Sequence, residues 1–117
     1  MKKVILITGV SSGFGRHTAA QLAARGHIVY GTSRRDCDAI DQVNILRMDL
    51  TDSESISSAV RSVLNKEGRI DILINNAGMH TGGPAETTPP EYARLQIDTN
   101  FFGMVTITRE VLPAMRK

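Results

Sequence analysis

A glycine-rich turn near the start of the chain carries residue types that bind phosphate. Residues 8–15 read TGVSSGFG and separate an apolar run at residues 4–7 from a helical pattern that begins at Gly13. Glycines placed there leave unpaired backbone amides at a helix N-terminus, where the helix dipole also favours an anion. Gly9 permits the tight turn, Gly13 keeps a Cβ out of the path of a phosphate, and Gly15 allows close packing. The turn predicts a site for a phosphate-bearing ligand, with an ordinary strand–helix turn as the alternative.

Two adjacent arginines form a second candidate for phosphate binding. Arg34 and Arg35 follow the strand-like run at residues 27–33. Arginine forms strong, often bidentate, hydrogen bonds with phosphate, and the alternative interpretation is a solvated pair of surface arginines. Asp36 and Asp38 lie close by in the sequence, so we expect them to neutralise part of this positive charge.

The elements around these residues alternate between strand and helix. Apolar runs typical of buried parallel strands lie at residues 4–7, 27–33, 43–49 and 70–75. Helical patterns lie at 13–25, between a start at 51–54 and Gly68, and at 88–117. Such alternation predicts an α/β fold, a doubly wound parallel sheet with right-handed crossovers. Thr51 and Glu54 suggest a capping box in which the Thr51 hydroxyl serves the amide of residue 54. Asn100 and Gly103 mark an expected interruption of the last helical pattern.

Composition limits the class of protein. The chain has 117 residues, 41% of them hydrophobic, with a net charge of +2, which fits one globular domain. The absence of a dense Lys/Arg cluster argues against nucleic-acid binding. The longest apolar run, VILI, is too short to cross a membrane. Cys37 is the single cysteine, so no internal disulfide forms and a cytoplasmic location is expected. We expect no metal site.

Several motifs occur together in an order that resembles a known family. They are residues 8–15 (TGVSSGFG), Asp49-Leu50 after the third strand, Asn75-Asn76-Ala77-Gly78 after the fourth, and Asn100 in the last helix. In this combination the chain resembles the short-chain dehydrogenase/reductase family, of the type called classical. The resemblance covers essentially the whole chain. It implies a Rossmann-like fold with a dinucleotide at the carboxyl ends of the strands.

The resemblance implies a role for each matching residue. Asp49 accepts a hydrogen bond from the adenine amino group, and Ser33 stands where NAD-dependent members carry aspartate. Because Arg34 follows it directly, NADP(H) is favoured over NAD(H). Asn100 corresponds to a catalytic asparagine that holds a water in a proton relay, with a helix-kink residue as the alternative. The implied cofactor-binding residues are Gly9, Ser11, Ser12, Gly13, Phe14, Gly15, Arg34, Arg35, Asp49, Leu50, Asn76, Ala77 and Gly78. Asn76 is also expected to tie neighbouring strands together.

The catalytic centre of this family departs from the pattern in this chain. The family uses a tyrosine as general acid/base, a lysine four residues later and a serine that orients the carbonyl. The chain contains two tyrosines, Tyr30 and Tyr92, and neither begins a Tyr-x-x-x-Lys sequence. We therefore expect residues 1–117 to be a single NAD(P)-binding domain corresponding to the N-terminal half of a longer one. Truncation, an incomplete sequence and a natural short form remain open.

The expected function is hydride transfer between NADP(H) and a small molecule, which interconverts a carbonyl and a secondary alcohol. The expected partners are that substrate and, for the full-length protein, further copies of itself. The alternatives are a non-catalytic dinucleotide-binding module and an enzyme completed by a second chain. The only long loop covers residues 76–88, and its residues 78–86 (GMHTGGPAE) are expected to border the substrate pocket. His80 in this loop is more typical of a solvated histidine than of a catalytic one.

Overall fold

Strands and helices alternate along the chain as the sequence predicts. In a computed structural model, residues 1–79 and 83–117 are described. The strands are β1 (Val4–Thr8), β2 (Ile28–Ser33), β3 (Val43–Arg47) and β4 (Ile72–Ile74). The helices are α1 (Gly13–Ala24), α2 (Ser53–Glu67), α3 (Pro90–Ile97) and α4 (Met104–Met115). A 3-10 turn covers Ala85–Thr87, and a π-helical segment, Asp98–Gly103, joins α3 to α4.

The four strands form one parallel sheet in the order β3-β2-β1-β4. β1 is central and pairs with both β2 and β4, so the strand order changes direction beside it. The carboxyl ends of all four strands meet at one edge of the sheet. In open α/β sheets the crevice outside that edge is the usual ligand site. The predicted parallel α/β sheet is therefore confirmed.

Helices cover both faces of the sheet because β1 and β2 are apolar on both sides. One cluster places Val4 and Leu6 of β1 against buried residues of α2 and α4, among them Val60 and Ile107. The second cluster packs Ile7 of β1 and residues of α1 on the opposite face. The central strand is therefore fixed from both sides, and it holds the turn that follows it.

The cap of α2 differs from the predicted capping box. Asp52 is the N-cap, and its Oδ1 accepts hydrogen bonds from the Glu54 and Ser55 amides at 3.1 and 3.4 Å. The Thr51 hydroxyl instead donates to Asp49 Oδ1 at 2.7 Å. The predicted role of Thr51 was wrong because a carboxylate one residue later is an equally good cap and the hydroxyl has a nearer acceptor. At the other end, Gly68 closes the helix in a left-handed conformation (φ 79°), as expected.

The last helical region is interrupted where Asn100 and Gly103 predict it. The interruption is a π-helical segment, so the chain axis continues from α3 into α4 without a loop. None of the residues of α3 is buried. Phe101 and Phe102 are 53% and 55% exposed, and their rings meet edge to face. The π-helical segment therefore carries exposed apolar surface.

Candidate functional site

A cleft of about 320 Å³ lies at the carboxyl ends of the strands. It contains ten of the thirteen residues expected to bind a cofactor, and Gly13, Phe14 and Gly15 lie outside its lining, as does Asn100. The lining residues come from five separate parts of the chain that the sheet brings together: Gly9, Ser11, Ser12, Thr32, Ser33, Arg34, Arg35, Met48, Asp49, Leu50, Asn76, Ala77, Gly78, Met79 and Thr99.

The first turn of the site is tight because its glycines have no space for a side chain. Gly9 has a positive φ of 74°, and a Cβ there would lie 2.7 Å from the Ala77 Cα. The amides of Gly9 and Val10 both donate to the Thr32 carbonyl at 3.0 Å. The turn is therefore joined to the end of β2 as well as to the segment after β4.

The two later glycines have different surroundings. A Cβ on Gly15 would collide with the Gly9 carbonyl oxygen and the Asn76 side-chain amide, which confirms the predicted close packing. A Cβ on Gly13, by contrast, would meet no described atom within 4 Å, although its φ of 63° is unfavourable for other residues. The side chain of Phe14 between them is 88% exposed. The protein thus leaves open the space in front of the first turn of α1.

Short polar side chains hold the segment after β4. Thr8 Oγ1 accepts hydrogen bonds from the Asn76 and Ala77 amides at 3.1 and 2.9 Å. The Asn76 side-chain amide donates to the Gly9 carbonyl at 2.9 Å. These bonds connect β1 to the segment after β4, and the structural role predicted for Asn76 is confirmed.

Asn100 connects the π-helical segment to the same part of the site. Its Oδ1 accepts from the Met79 amide and its Nδ2 donates to the Met79 carbonyl, both at 2.7 Å. A Cβ on Gly78 would lie 3.1 Å from Asn100 Oδ1. The neighbouring Thr99 lines the cleft directly. In this geometry the Asn100 side chain positions the wall of the cleft, while its predicted catalytic role stays a prediction.

Arg34 and Arg35 line the opposite side of the cleft, and both are exposed. The buried Ser33 shapes the bend that carries them, since its Oγ donates to the Arg35 carbonyl at 2.5 Å. Asp36 is paired with Arg47 at 2.6 Å, and among the described residues no ion pair joins Asp36 or Asp38 to Arg34 or Arg35, the pair that the sequence suggested they would neutralise. The register of the sheet explains this, because Arg47 is the β3 partner of Ser33.

Asp49 accepts two hydrogen bonds through one carboxylate oxygen. The Thr51 amide and hydroxyl donate to its Oδ1 at 2.9 and 2.7 Å. The Thr51 amide is the main reason that the pKa of Asp49 lies below its ordinary value; the Thr51 hydroxyl and the positive charge of Arg34 act in the same direction. The group is therefore a carboxylate at neutral pH and presents an acceptor to the cleft.

Five lining residues were not among the predicted site residues: Thr32, Ser33, Met48, Met79 and Thr99. Thr32 and Met48 lie at the carboxyl ends of strands. Because ligands of parallel sheets bind outside those ends, the sequence could have indicated both residues. Thr99 reaches the cleft only because the π-helical segment packs beside it, and the sequence gives no sign of that. His80 lies outside the described residues.

Comparison with known proteins agrees with the geometry of the cleft. The family model for short chain dehydrogenase matches residues 3–117. This chain belongs to that family. It is 50% identical over 115 residues to a 3-ketodihydrosphingosine reductase of Bacteroides thetaiotaomicron, with 98% of this chain and 43% of that protein covered.

Solved structures of short-chain dehydrogenases show the same fold. A ligand-free aldohexose dehydrogenase of Thermoplasma acidophilum superposes with a TM-score of 0.92 at 28% identity, covering 99% of this chain and 46% of that one. A 3-ketoacyl-(acyl-carrier-protein) reductase of Brucella melitensis, complexed with NADH, gives a TM-score of 0.88 at 33% identity, covering 96% and 50%.

The chain is thus a member of an oxidoreductase family that uses NAD(P)(H), and it spans about half the length of these relatives. It corresponds to the N-terminal half of them. Within residues 1–79 and 83–117, no helix has the length and apolar character needed to cross a membrane.

Proposed function

We propose that this chain is the NADP(H)-binding part of a short-chain dehydrogenase that interconverts a carbonyl and a secondary alcohol. When bound, the nicotinamide would supply or accept the hydride. The open space before α1 suits a pyrophosphate, because the amides of the first turn point there and an added Cβ at Gly13 meets nothing. Asp49 and Leu50 then flank the adenine, and Ala77 and Gly78 leave room for a ribose.

The preference for NADP(H) rests on one observation, the arginine pair at the end of β2. Arg34 and Arg35 line the cleft, and the residue before them is Ser33 rather than a carboxylate. The nearest acidic side chain in sequence, Asp36, is held by Arg47. A 2′-phosphate would therefore meet two guanidinium groups, whereas the 2′-hydroxyl of NAD(H) lacks the acidic acceptor that usually binds it.

The substrate is proposed to be a small carbonyl compound or the corresponding secondary alcohol. The 50%-identical relative is named as a 3-ketodihydrosphingosine reductase, which makes 3-ketodihydrosphingosine the first compound to test. We also propose a cytoplasmic, homo-oligomeric protein. The exposed apolar residues Phe101, Phe102 and Leu112 support association of copies.

A second candidate is a dinucleotide-binding module without catalysis. Residues 1–117 hold the cofactor-binding motifs and contain no Tyr-x-x-x-Lys sequence. The gene downstream of Lys117 separates the two candidates. A serine followed by Tyr-x-x-x-Lys supports the dehydrogenase, and a stop codon with a stably folded product supports the module.

The cofactor proposal is tested by calorimetric titration with NADPH and NADH. Wild-type protein should bind NADPH more tightly than NADH, and Arg34→Ala should remove most of the difference. Loss of a charge-assisted hydrogen bond to phosphate costs about 1.5–3 kcal/mol, roughly ten- to a hundredfold in affinity. Arg61→Ala is the matched control, since Arg61 is an exposed arginine on α2 away from the cleft lining. Equal binding of NADPH and NADH by a folded wild type would contradict the proposal.

A further inference from the structure

Arg16 of α1 holds the loop that carries the arginine pair. Its Nη1 donates to the Asp38 carbonyl at 3.0 Å and its Nη2 to the Ala39 carbonyl at 2.9 Å. One guanidinium group therefore spans two consecutive carbonyls of the segment between β2 and β3. Because the guanidinium is planar and its donors form a fixed fork, this contact restricts both the position and the direction of the loop backbone.

The contact joins two parts of the candidate site that are distant in sequence. Arg16 lies in the first turns of α1, directly after the glycine turn that would face a pyrophosphate under the proposed function. The loop that it holds begins at Arg34, which faces the 2′-phosphate under the proposed function. Ile40, 7% exposed, packs against the α1 side of the sheet and anchors the same part of the loop.

The near end of the loop makes two other polar contacts. The Ser33 hydroxyl bonds to Arg35, and the Asp36 carboxylate pairs with Arg47 across the neighbouring strand. Arg47 and Asp36 are both mostly exposed, with side chains 63% and 95% accessible, so their ion pair contributes little rigidity. The two carbonyl contacts of Arg16 are then the main polar link, among the described residues, between the far half of the loop and the rest of the site.

We infer that Arg16 is a positioning residue for cofactor discrimination, an inference that rests on the proposed preference for NADP(H). Arg16 does not line the cleft and acts through the backbone of residues 38–39. By holding the loop, it keeps Arg34 and Arg35 in the arrangement that a 2′-phosphate needs. If the loop adopts the binding-competent arrangement for only a fraction of the time, the observed affinity is reduced to that fraction of its full value. NADH, which has no 2′-phosphate, should be almost insensitive to the change.

The test compares Arg16→Lys, Arg16→Gln and wild type by titration with NADPH and with NADH. In both variants the ratio of NADPH affinity to NADH affinity should fall roughly three- to tenfold. Neither lysine nor glutamine has the planar pair of donors that bonds two carbonyls at once. Arg16→Lys keeps the positive charge, so it separates positioning from a direct attraction of the cofactor. Arg25→Gln removes the same charge at the far end of α1, about 14 Å away along the helix, and should leave the preference unchanged.

Hydrogen exchange supplies a second readout. In Arg16→Lys the amides of residues 35–41 should exchange faster, while those of β1 and β2 keep their wild-type protection. A general loss of stability would instead weaken NADPH and NADH binding equally and raise exchange in the strands.

The outcomes separate this inference from the proposed function. A wild type that prefers NADPH, together with an Arg16→Lys variant of unchanged preference, overturns the role of Arg16 alone. A folded wild type that binds both dinucleotides equally overturns the cofactor proposal and this inference together. Loss of preference in both Arg16 variants with Arg25→Gln unaffected supports both.

Discussion

The two walls of the cleft are built in different ways. The wall after β1 and β4, formed by Gly9 and residues 76–79, is fixed by short polar side chains and by glycines in close contact. The wall after β2 and β3, formed by residues 33–35 and 49–50, presents charged side chains to the cleft. Its loop is held by the long side chain of Arg16 and by an exposed ion pair.

This difference suggests a division of roles between the walls. Direct bonds from Thr8, Asn76 and Asn100 to the backbone leave the β1/β4 wall little freedom, so it defines the shape of the cleft. Exposed arginines on a loop of the β2/β3 wall define its charge. Damage to the first wall should therefore weaken the fold and the binding of every dinucleotide, whereas damage to the second should change which dinucleotide is preferred.

The largest expected effect comes from Gly15→Ala. The added Cβ collides with the Gly9 carbonyl and the Asn76 amide, both of which belong to the β1/β4 wall. Forcing an extra methyl group into such a site costs about 2–3 kcal/mol, which should appear in the free energy of unfolding from denaturant titration. Binding of NADPH and of NADH should both be lost.

Gly13→Ala is the matched control for that substitution. Its methyl group meets no described atom, so the cost to folding is that of a positive φ, about 1–2 kcal/mol. It should nevertheless weaken dinucleotide binding, because the methyl group occupies the space in front of α1. If Gly15→Ala were no more destabilising than Gly13→Ala, the close packing of the β1/β4 wall would be refuted.

Asn100→Ala should have an intermediate effect. It removes both hydrogen bonds to Met79, each of 2.7 Å, and should lower the free energy of unfolding by about 1–2 kcal/mol. The affinities for NADPH and NADH should fall by the same factor, because this wall does not face the 2′-phosphate. Asn75→Ala, which removes only a 3.4 Å contact with Thr108, serves as the control and should change little. A selective loss of NADPH affinity in Asn100→Ala would contradict the division of roles.

The smallest expected effect is an acid dependence that Asp49 contributes. Since its folded-state pKa lies below the unfolded value, its ionised form stabilises the fold above the ordinary aspartate pKa of about 3.9. That contribution should be lost as the pH falls below this value and through the folded-state pKa. Asp49→Asn should flatten the slope measured by thermal unfolding between pH 5 and about pH 3.

Asp71 should retain part of that slope in the Asp49→Asn variant. Its pKa is lowered chiefly by the Val4 amide, with further help from Arg69, so it contributes in the same direction from a place outside the cleft. If Asp49→Asn and wild type show the same dependence of thermal stability on pH, the hydrogen bonds from Thr51 do not stabilise the Asp49 carboxylate.

Local sequence patterns predicted most of the fold and much of the cleft. The apolar runs and the glycine turn identified the strands and placed Gly9, Asp49 and Asn76 at one edge of the sheet, because parallel strands bring their carboxyl ends together. Contacts between distant side chains were not predictable in this way. The pairing of Asp36 with Arg47 depends on the β2/β3 register, and the approach of Thr99 depends on a π-helical segment. The predicted capping residue of α2 was wrong because Thr51 and Asp52 are adjacent and both are suitable N-caps.

A crystal structure of the protein with NADP⁺ would test the assignment of the two walls most directly. We predict the 2′-phosphate within hydrogen-bond distance of Arg34 or Arg35, the adenine beside Asp49 and Leu50, and the pyrophosphate in front of the first turn of α1. A bound NADP⁺ with its 2′-phosphate directed away from both arginines, or bound outside the cleft, would contradict the proposed division between a shape-defining wall and a charge-defining wall.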